Sequence, residues 1–154
     1  MNAQQVELVR SSFASVAPIA TQAAAMFYDR LFERKPGVAQ LFVGNMAVQG
    51  ERLMAMIGGA VALLDRPPVL QKTLEDLGRR HVGYGVRDEH YDAVGGALLD
   101  TLAAGLGTAF TPEHRAAWAA LYAHISATMQ AAAAEALAAP SLAPAGEPAK
   151  PHWA

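Results

Sequence analysis

Apolar residues recur at helical spacing along almost the whole chain, while the alternation of apolar and polar residues typical of a half-buried strand is missing. The first run places Val6, Val9, Phe13 and Val16 on one face of a helix. The same spacing predicts an apolar face on the helix at 48–65 and an apolar stripe on the last helix. The members are Leu53, Met56, Ile57, Ala60 and Leu64 in the first case and Trp118, Leu121, Tyr122, Ile125 and Met129 in the second. The pattern therefore predicts an all-α protein of about seven helical segments. Their unequal lengths do not fit a bundle of four long, similar helices joined by short loops.

Capping residues, prolines and glycines set the expected helix boundaries. Asn2 can cap the first helix, Asp88 a later one, and Thr111 the last one, which has Pro112 in its first turn. The triplet 66–68, Arg-Pro-Pro, is expected to break the chain between two helices. The segments expected to be helical are about 3–17, 19–33, 36–42, 48–65, 69–81, 89–106 and 112–138.

Length and composition bound the domain organisation and the partners. A chain of 154 residues is one domain by size, and the prolines after residue 138 predict a helical domain over 1–138 and a disordered tail over 139–154. The formal net charge of −2, without a basic stripe, argues against nucleic acid as a partner. No signal peptide and no apolar run of about 20 residues is visible, so we expect a cytoplasmic protein that does not span a membrane.

Several chemistries are excluded by missing residues or motifs. The chain has no cysteine, which rules out disulfides, thiolate metal sites, iron–sulfur clusters and a cysteine nucleophile. The sequence also contains no zinc-binding His-Glu-x-x-His motif, no phosphate-cradling glycine loop and no serine nucleophile elbow.

The segment 77–81, Leu-Gly-Arg-Arg-His, places one histidine at the end of a helical run, just before a glycine-containing break. A neutral imidazole is a natural metal ligand, and a single axial histidine holds the iron in many haem proteins. A histidine near a helix end is more often a cap or a packed core residue. His81 alone therefore leaves both interpretations open.

Five motifs, in order, resemble those of the globin family over about residues 4–137, and more closely those of bacterial single-domain globins and the haem domain of flavohaemoglobins. The motifs are Phe27 to Phe32, Pro36 with Leu41-Phe42, Gln49 to Leu53, Leu77 to His81, and Tyr91. The resemblance implies a globin fold, in which two layers of three helices enclose a haem pocket. It does not extend to a flavin- or nicotinamide-binding reductase domain, so we expect a separate reductase to supply electrons for any turnover.

The same resemblance implies a role for each polar site residue. His81 would bind the iron of haem b as its only protein ligand, in the five-coordinate state. Tyr28 and Gln49 would donate hydrogen bonds on the distal side to a bound diatomic ligand that carries partial negative charge. Tyr91 and Glu135 would form a hydrogen-bond set with His81 on the proximal side. The position of Glu135 depends on counting through an alanine run, and this residue could equally be a solvated helix carboxylate.

Apolar residues would enclose the cofactor, and the remaining histidines would have no site role. Phe42 would pack against the porphyrin, Leu53 would cover the distal face of the iron, and Val86 and Val94 would line the proximal and pyrrole edges. We expect ordinary surface or helix positions for the other histidines, which are His90, His114, His124 and His152.

Two functions are consistent with all of these predictions, and they differ only in whether the protein catalyses a reaction with repeated turnover. The first is reversible binding and transport of O2, with NO as a further ligand. The second is nitric oxide dioxygenase activity, in which Tyr28, Gln49, Tyr91 and Glu135 would be the catalytic residues. A gas sensor is a lower alternative, and a helical interaction module without a cofactor would be colourless. The sequence leaves open whether the chain is a monomer or a homodimer.

Overall fold

The computed structural model describes residues 1–42 and 44–138. These residues form six α-helices and three short 3₁₀ helices and contain no β-strand, which confirms the all-α prediction. The α-helices are α1 (Ala3–Val16), α2 (Ala20–Arg34), α3 (Met46–Ala62), α4 (Pro67–Gly83), α5 (Asp88–Leu106) and α6 (Pro112–Ala138). The 3₁₀ helices span Ala17–Ile19, Pro36–Leu41 and Gly107–Ala109. The predicted tail, 139–154, lies outside the described residues.

Side-chain caps start three of the helices. Asn2 caps α1, as the sequence predicts, and it forms a reciprocal capping box with Gln5. The carboxamide of Asn45 accepts the N–H of Ala47 at 2.8 Å, so α3 begins earlier than predicted. The hydroxyl of Thr111 accepts the N–H of His114 at 3.3 Å, which confirms the predicted cap of α6.

Three predicted boundaries, both ends of α4 and the start of α5, were wrong in detail. The chain does break before the prolines, but Pro67 and Pro68 form the first turn of α4. Backbone N–H groups in a first turn have no partner within the helix, so proline, which lacks this group, fits there. The helix continues to Gly83, so His81 lies in its last turn. Asp88, which was predicted as the cap of α5, is the first residue of that helix, and Arg87 is the N-cap.

Two glycines allow the helices to approach closely. A Cβ atom at Gly78 in α4 would lie 2.7 Å from the Cα atom of Met129 in α6. A Cβ atom at Gly50 in α3 would lie 2.9 Å from the Cβ atom of Ala24 in α2. Since real Cβ contacts are not this short, both helix crossings depend on glycine.

The buried apolar residues divide into three clusters that surround the centre of the molecule. One lies around Trp118 and joins α1, α2, α3, α5 and α6. A second lies around Phe27 and Leu53, and a third around Leu77 and Met129. Within the described residues, no helix is long and apolar enough to cross a membrane.

Candidate functional site

A cavity of about 80 Å³ lies between the three clusters. Helices α2 and α3 supply one side, which we call the distal wall: Phe27, Leu53, Met56, Ile57 and Ala60. Helices α4, α5 and α6 supply the other side, the proximal wall: Leu77, His81, Tyr91, Val94, Leu98, Trp118, Leu121, Tyr122, Ile125 and Met129.

His81 is the basic side chain in the lining of this cavity, and it is only 2% exposed. Its Nδ1 lies 2.8 Å from the carbonyl oxygen of Leu77, one turn earlier in α4. A carbonyl oxygen only accepts hydrogen bonds, so Nδ1 carries the proton and Nε2 is the basic nitrogen of the neutral ring. A histidine oriented in this way is prepared to be a metal ligand through Nε2.

Tyr91 lies in the proximal wall with its phenol buried at 4% exposure. Its hydroxyl has no hydrogen-bond partner among the described residues. Burial, followed by the nearby carboxylate of Asp88, raises the pKa of Tyr91 to about 12. The phenol is therefore protonated at neutral pH and can serve as a hydrogen-bond donor.

Tyr28 in α2 and Gln49 in α3 are both buried, at 5% and 3% exposure, and neither lines the cavity. Three rings surround the phenol of Tyr28: Phe27 and Phe42 meet it edge to face, each with centroids 5.2 Å away, and Phe32 stacks at 6.0 Å. Its hydroxyl has no hydrogen-bond partner among the described residues, and burial raises its pKa well above the ordinary value. The distal side thus holds a second protonated phenol inside an aromatic cluster.

The four predicted apolar site residues occupy different positions. Leu53 and Val94 line the cavity, on the distal and proximal walls respectively. Phe42 is half-buried in the aromatic cluster with Tyr28. Val86 is half-buried beside two of the apolar clusters, and its N–H donates to the carbonyl of His81 at 3.1 Å.

Glu135 is exposed on α6, as the alternative interpretation of a solvated helix carboxylate expects. The buried positions near the end of that helix include Met129, Ala132 and Ala133. In the alanine-rich sequence, no large side chain marks which positions face inward, so counting alone does not fix the orientation of the carboxylate.

The remaining described histidines do not line the cavity. His124 is exposed and His114 is half-buried at the start of α6, in line with the prediction. His90, however, is buried, and its Nδ1 accepts the N–H of Arg87 at 2.9 Å. His152 lies outside the described residues. Among residues 1–42 and 44–138, no group of three or more acidic or histidine side chains is placed to hold a metal ion.

Sequence reasoning did not assign Tyr122 to the site, although the residue stood on the predicted apolar stripe of α6. All five members of that stripe line the cavity: Trp118, Leu121, Tyr122, Ile125 and Met129. The helical period therefore identified the inward face of α6 correctly. The hydroxyl of Tyr122 donates to the backbone carbonyl of Tyr91, a contact between residues 31 positions apart that no local pattern reveals.

Comparison with known proteins agrees with this architecture. An engineered carbene transferase, made from a candidate nitric oxide dioxygenase of Rhodothermus marinus, superimposes with a TM-score of 0.80 at 25% identity. The match covers 90% of this chain and 96% of that one. The fold is therefore the globin-like helical fold that the sequence predicts.

Three relatives show similarity along the sequence. A flavohemoprotein of Xylella fastidiosa is 32% identical over 76% of this chain, and one of Bordetella pertussis is 36% identical over 65% of it. The chain spans less than a third of the length of these two proteins, 30% and 26% respectively. A neuroglobin of Dissostichus mawsoni is 32% identical over 80% of this chain and 86% of its own length. The family model for globins matches residues 25–129, and the chain therefore belongs to the globin family.

Proposed function

We propose that this chain binds haem b in the cavity between the distal and proximal walls, with His81 as the iron ligand, and that it binds O2 and NO reversibly there. The observation that carries the proposal is the buried imidazole of His81, which lines an apolar cavity and is held as the Nδ1–H tautomer by the carbonyl of Leu77. Membership of the globin family supports the same conclusion.

The residues around the cavity fit a haem. The lining is almost entirely apolar, as the faces of a porphyrin require, and its one basic nitrogen belongs to His81. Two buried phenol hydroxyls, of Tyr28 and Tyr91, have no partner among the described residues and so have donor capacity left for a polar ligand or cofactor atom. Because the chain contains no cysteine, the haem would be held without thioether bonds, as haem b is.

Haem supplies an iron atom that binds diatomic gases. The protein residues would orient the haem and the bound gas and would stabilise the partial charge on the gas. The hydrogen bond to Leu77 fixes the plane of the His81 ring. Tyr28 and Gln49 would donate hydrogen bonds to the gas on the distal side, and the raised pKa of Tyr28 keeps its phenol protonated. Leu53 and Ile57 would exclude water from the same side of the cavity.

The test is absorption spectroscopy of the protein purified with haem available. We expect a strong Soret band for the parent chain, its loss or a large shift in His81→Ala, and no change in His124→Ala, which removes an exposed histidine. A colourless parent protein, or a His81→Ala variant with an unaltered spectrum, would disprove the assignment.

Nitric oxide dioxygenase activity is the second candidate. The buried phenol of Tyr91 favours it, because the hydrogen-bonding groups on the proximal side of a ligating histidine can adjust its electron donation. The name of the Rhodothermus marinus protein, a candidate nitric oxide dioxygenase, points in the same direction. The exposed position of Glu135 leaves the proposed proximal set without its carboxylate.

Stopped-flow mixing of the oxygenated protein with NO separates the two functions. Stoichiometric nitrate followed by repeated turnover, once a reductant or reductase restores the ferrous state, would establish the dioxygenase. A single oxidation without practicable re-reduction would leave reversible gas binding as the function.

A further inference from the structure

Three voids follow one another from the surface between α2 and α3 to the cavity that His81 lines, which we now call the haem cavity. The first is a groove of about 380 Å³ between these two helices, the outer groove. Exposed and buried residues both line it, so it leads from the surface into the protein. The lining residues are Ala20, Thr21, Ala24, Ala25, Tyr28, Asp29, Phe32, Met46, Ala47, Gly50, Glu51 and Met54.

The second void is a small one of about 20 Å³, the inner cavity, which lies beside the haem cavity. Five residues line both of them, so a single layer of side chains separates the two. These shared residues are Phe27, Leu53, Ile57, Leu98 and Trp118. The inner cavity is completed by Phe13, Val16, Ala23, Met54, Thr101 and Leu102.

The inner cavity suits a small apolar molecule better than water. Both polar donors in its lining are already used: Thr101 Oγ1 donates to the carbonyl of Ala97 and Trp118 Nε1 donates to Ser12 Oγ, each at 2.8 Å. A void of this size has room for one molecule of the size of water, but a buried water needs two to four polar partners. The inner cavity is therefore expected to be dry.

Met54 on α3 joins the outer groove to the inner cavity. Among the described residues it is the one side chain that lines both. From α2, only the methyl groups of Ala23 and Ala24 stand at this place, Ala23 in the inner cavity and Ala24 in the outer groove. Met54 is half-buried, and a methionine side chain is unbranched with three rotatable bonds. Its rotation can therefore open and close the way between the two voids.

We propose that O2, NO and other neutral diatomic gases reach the haem through the outer groove and the inner cavity, and that the side chain of Met54 is the gate between them. This inference rests on the proposed function, since it requires a gas-binding haem in the haem cavity. A dry, apolar passage admits a neutral gas and holds back water and ions, which would lose their hydrogen bonds there. A gate is crossed in both directions, so it should change the rates of gas entry and exit by the same factor and leave the affinity unchanged.

Flash photolysis of the CO complex of the ferrous holoprotein measures entry, and stopped-flow replacement of CO by NO measures exit. Met54→Ala should speed both roughly 3- to 10-fold and should lower the fraction of CO that rebinds before it escapes. Met26→Ala is the matched control, because Met26 on α2 is also half-buried and lines none of the three voids. Its rates should equal those of the parent chain.

Ala25→Trp tests the outer groove from an exposed position, where a substitution disturbs the fold least. The indole would fill part of the groove and should slow entry and exit about threefold or more. Ala123→Trp places the same side chain in the surface groove between α5 and α6 and should leave both rates unchanged. The stretching frequency of bound CO should stay constant in all four variants, because none of the changed side chains lines the haem cavity.

Unchanged rates in Met54→Ala would overturn the gate, and unchanged rates in Ala25→Trp would overturn the outer groove as the entrance. A changed CO affinity or CO stretching frequency in Met54→Ala would also overturn the gate, since the effect would then arise at the iron. Equal slowing by Ala123→Trp would show that the effect is not specific to the outer groove. The proposed function fails separately, by the absence of a Soret band that depends on His81.

Discussion

Tyr28 on the distal side and Tyr91 in the proximal wall are both buried phenols, yet they are held by different means. Three aromatic rings surround Tyr28, so its place is set by packing. Tyr91 is held through its backbone, which accepts a hydrogen bond from Tyr122. Packing is non-directional and can adjust by small shifts, whereas hydrogen bonds fix distances and angles. The proximal wall should therefore tolerate less change than the distal wall.

The helix crossings on the two sides of the cavity also differ in how much change they should tolerate. On the proximal side, Gly78 of α4 faces the backbone of Met129, which cannot be shortened or rotated away. On the distal side, Gly50 of α3 faces the methyl group of Ala24, which a substitution can remove. Substitutions at the two glycines therefore compare the two walls directly.

The largest effect on stability is expected for Gly78→Ala. The new methyl group would overlap the backbone of Met129, so α4 and α6 would have to separate, at a cost of about 3 kcal/mol. Gly83→Ala, in the same helix, is the control, because a Cβ atom there meets nothing within 4 Å. Denaturant unfolding of the two variants measures the difference. Equal stabilities would show that the crossing at Gly78 is not close-packed.

The second prediction separates the roles of the two phenols. Tyr28→Phe should speed O2 dissociation roughly 10- to 100-fold, because a hydrogen bond to a charged or partly charged acceptor contributes about 1.5–3 kcal/mol. Tyr91→Phe removes a hydroxyl from the opposite wall and should change the O2 dissociation rate far less. Flash photolysis or stopped-flow with a competing ligand provides both rates. A faster rate in Tyr91→Phe than in Tyr28→Phe would reverse the assignment of the two walls.

The two walls also differ in how well the sequence predicts them. Helical periodicity identified the cavity-lining faces of α3 and α6, because Leu53, Met56, Ile57 and Ala60, like the stripe on α6, follow a 3.6-residue period. The motif at 77–81 pointed to His81, which lines the cavity. The run of alanines around Glu135 carries no register signal, and this residue is exposed. The contact of Tyr122 with Tyr91 was missed because it depends on the relative position of two helices.

A smaller effect is expected for Gly50→Ala, at the crossing of α2 and α3 on the distal side. The added methyl group meets the methyl of Ala24, and overpacking should outweigh the better helix propensity of alanine by about 1–2 kcal/mol. Ala24→Gly should restore part of this loss in the double variant, since the two methyl groups would no longer overlap. A double-mutant cycle measured by thermal unfolding gives the coupling. A coupling near zero would show that the crossing relaxes without involving Ala24.

The smallest expected effect is a dependence of stability on pH that arises at the start of α5, next to Tyr91. Burial lowers the pKa of His90, an effect that Glu89 opposes and that Lys35 and Arg87 strengthen. The Nδ1 of His90 accepts the N–H of Arg87, a group that can only donate, so protonation at this nitrogen breaks the contact. Because the folded-state pKa lies below the ordinary value of about 6.5, the stabilisation is complete above that pH. It is lost as the pH falls through the folded-state pKa.

His90→Gln should therefore reduce the loss of stability between neutral and acidic pH by about 1 kcal/mol, because a carboxamide accepts the Arg87 N–H without titrating. Unfolding free energies of the parent chain and the variant, measured at a series of pH values, will show the difference. An unchanged pH dependence in His90→Gln would place the acid sensitivity elsewhere in the molecule.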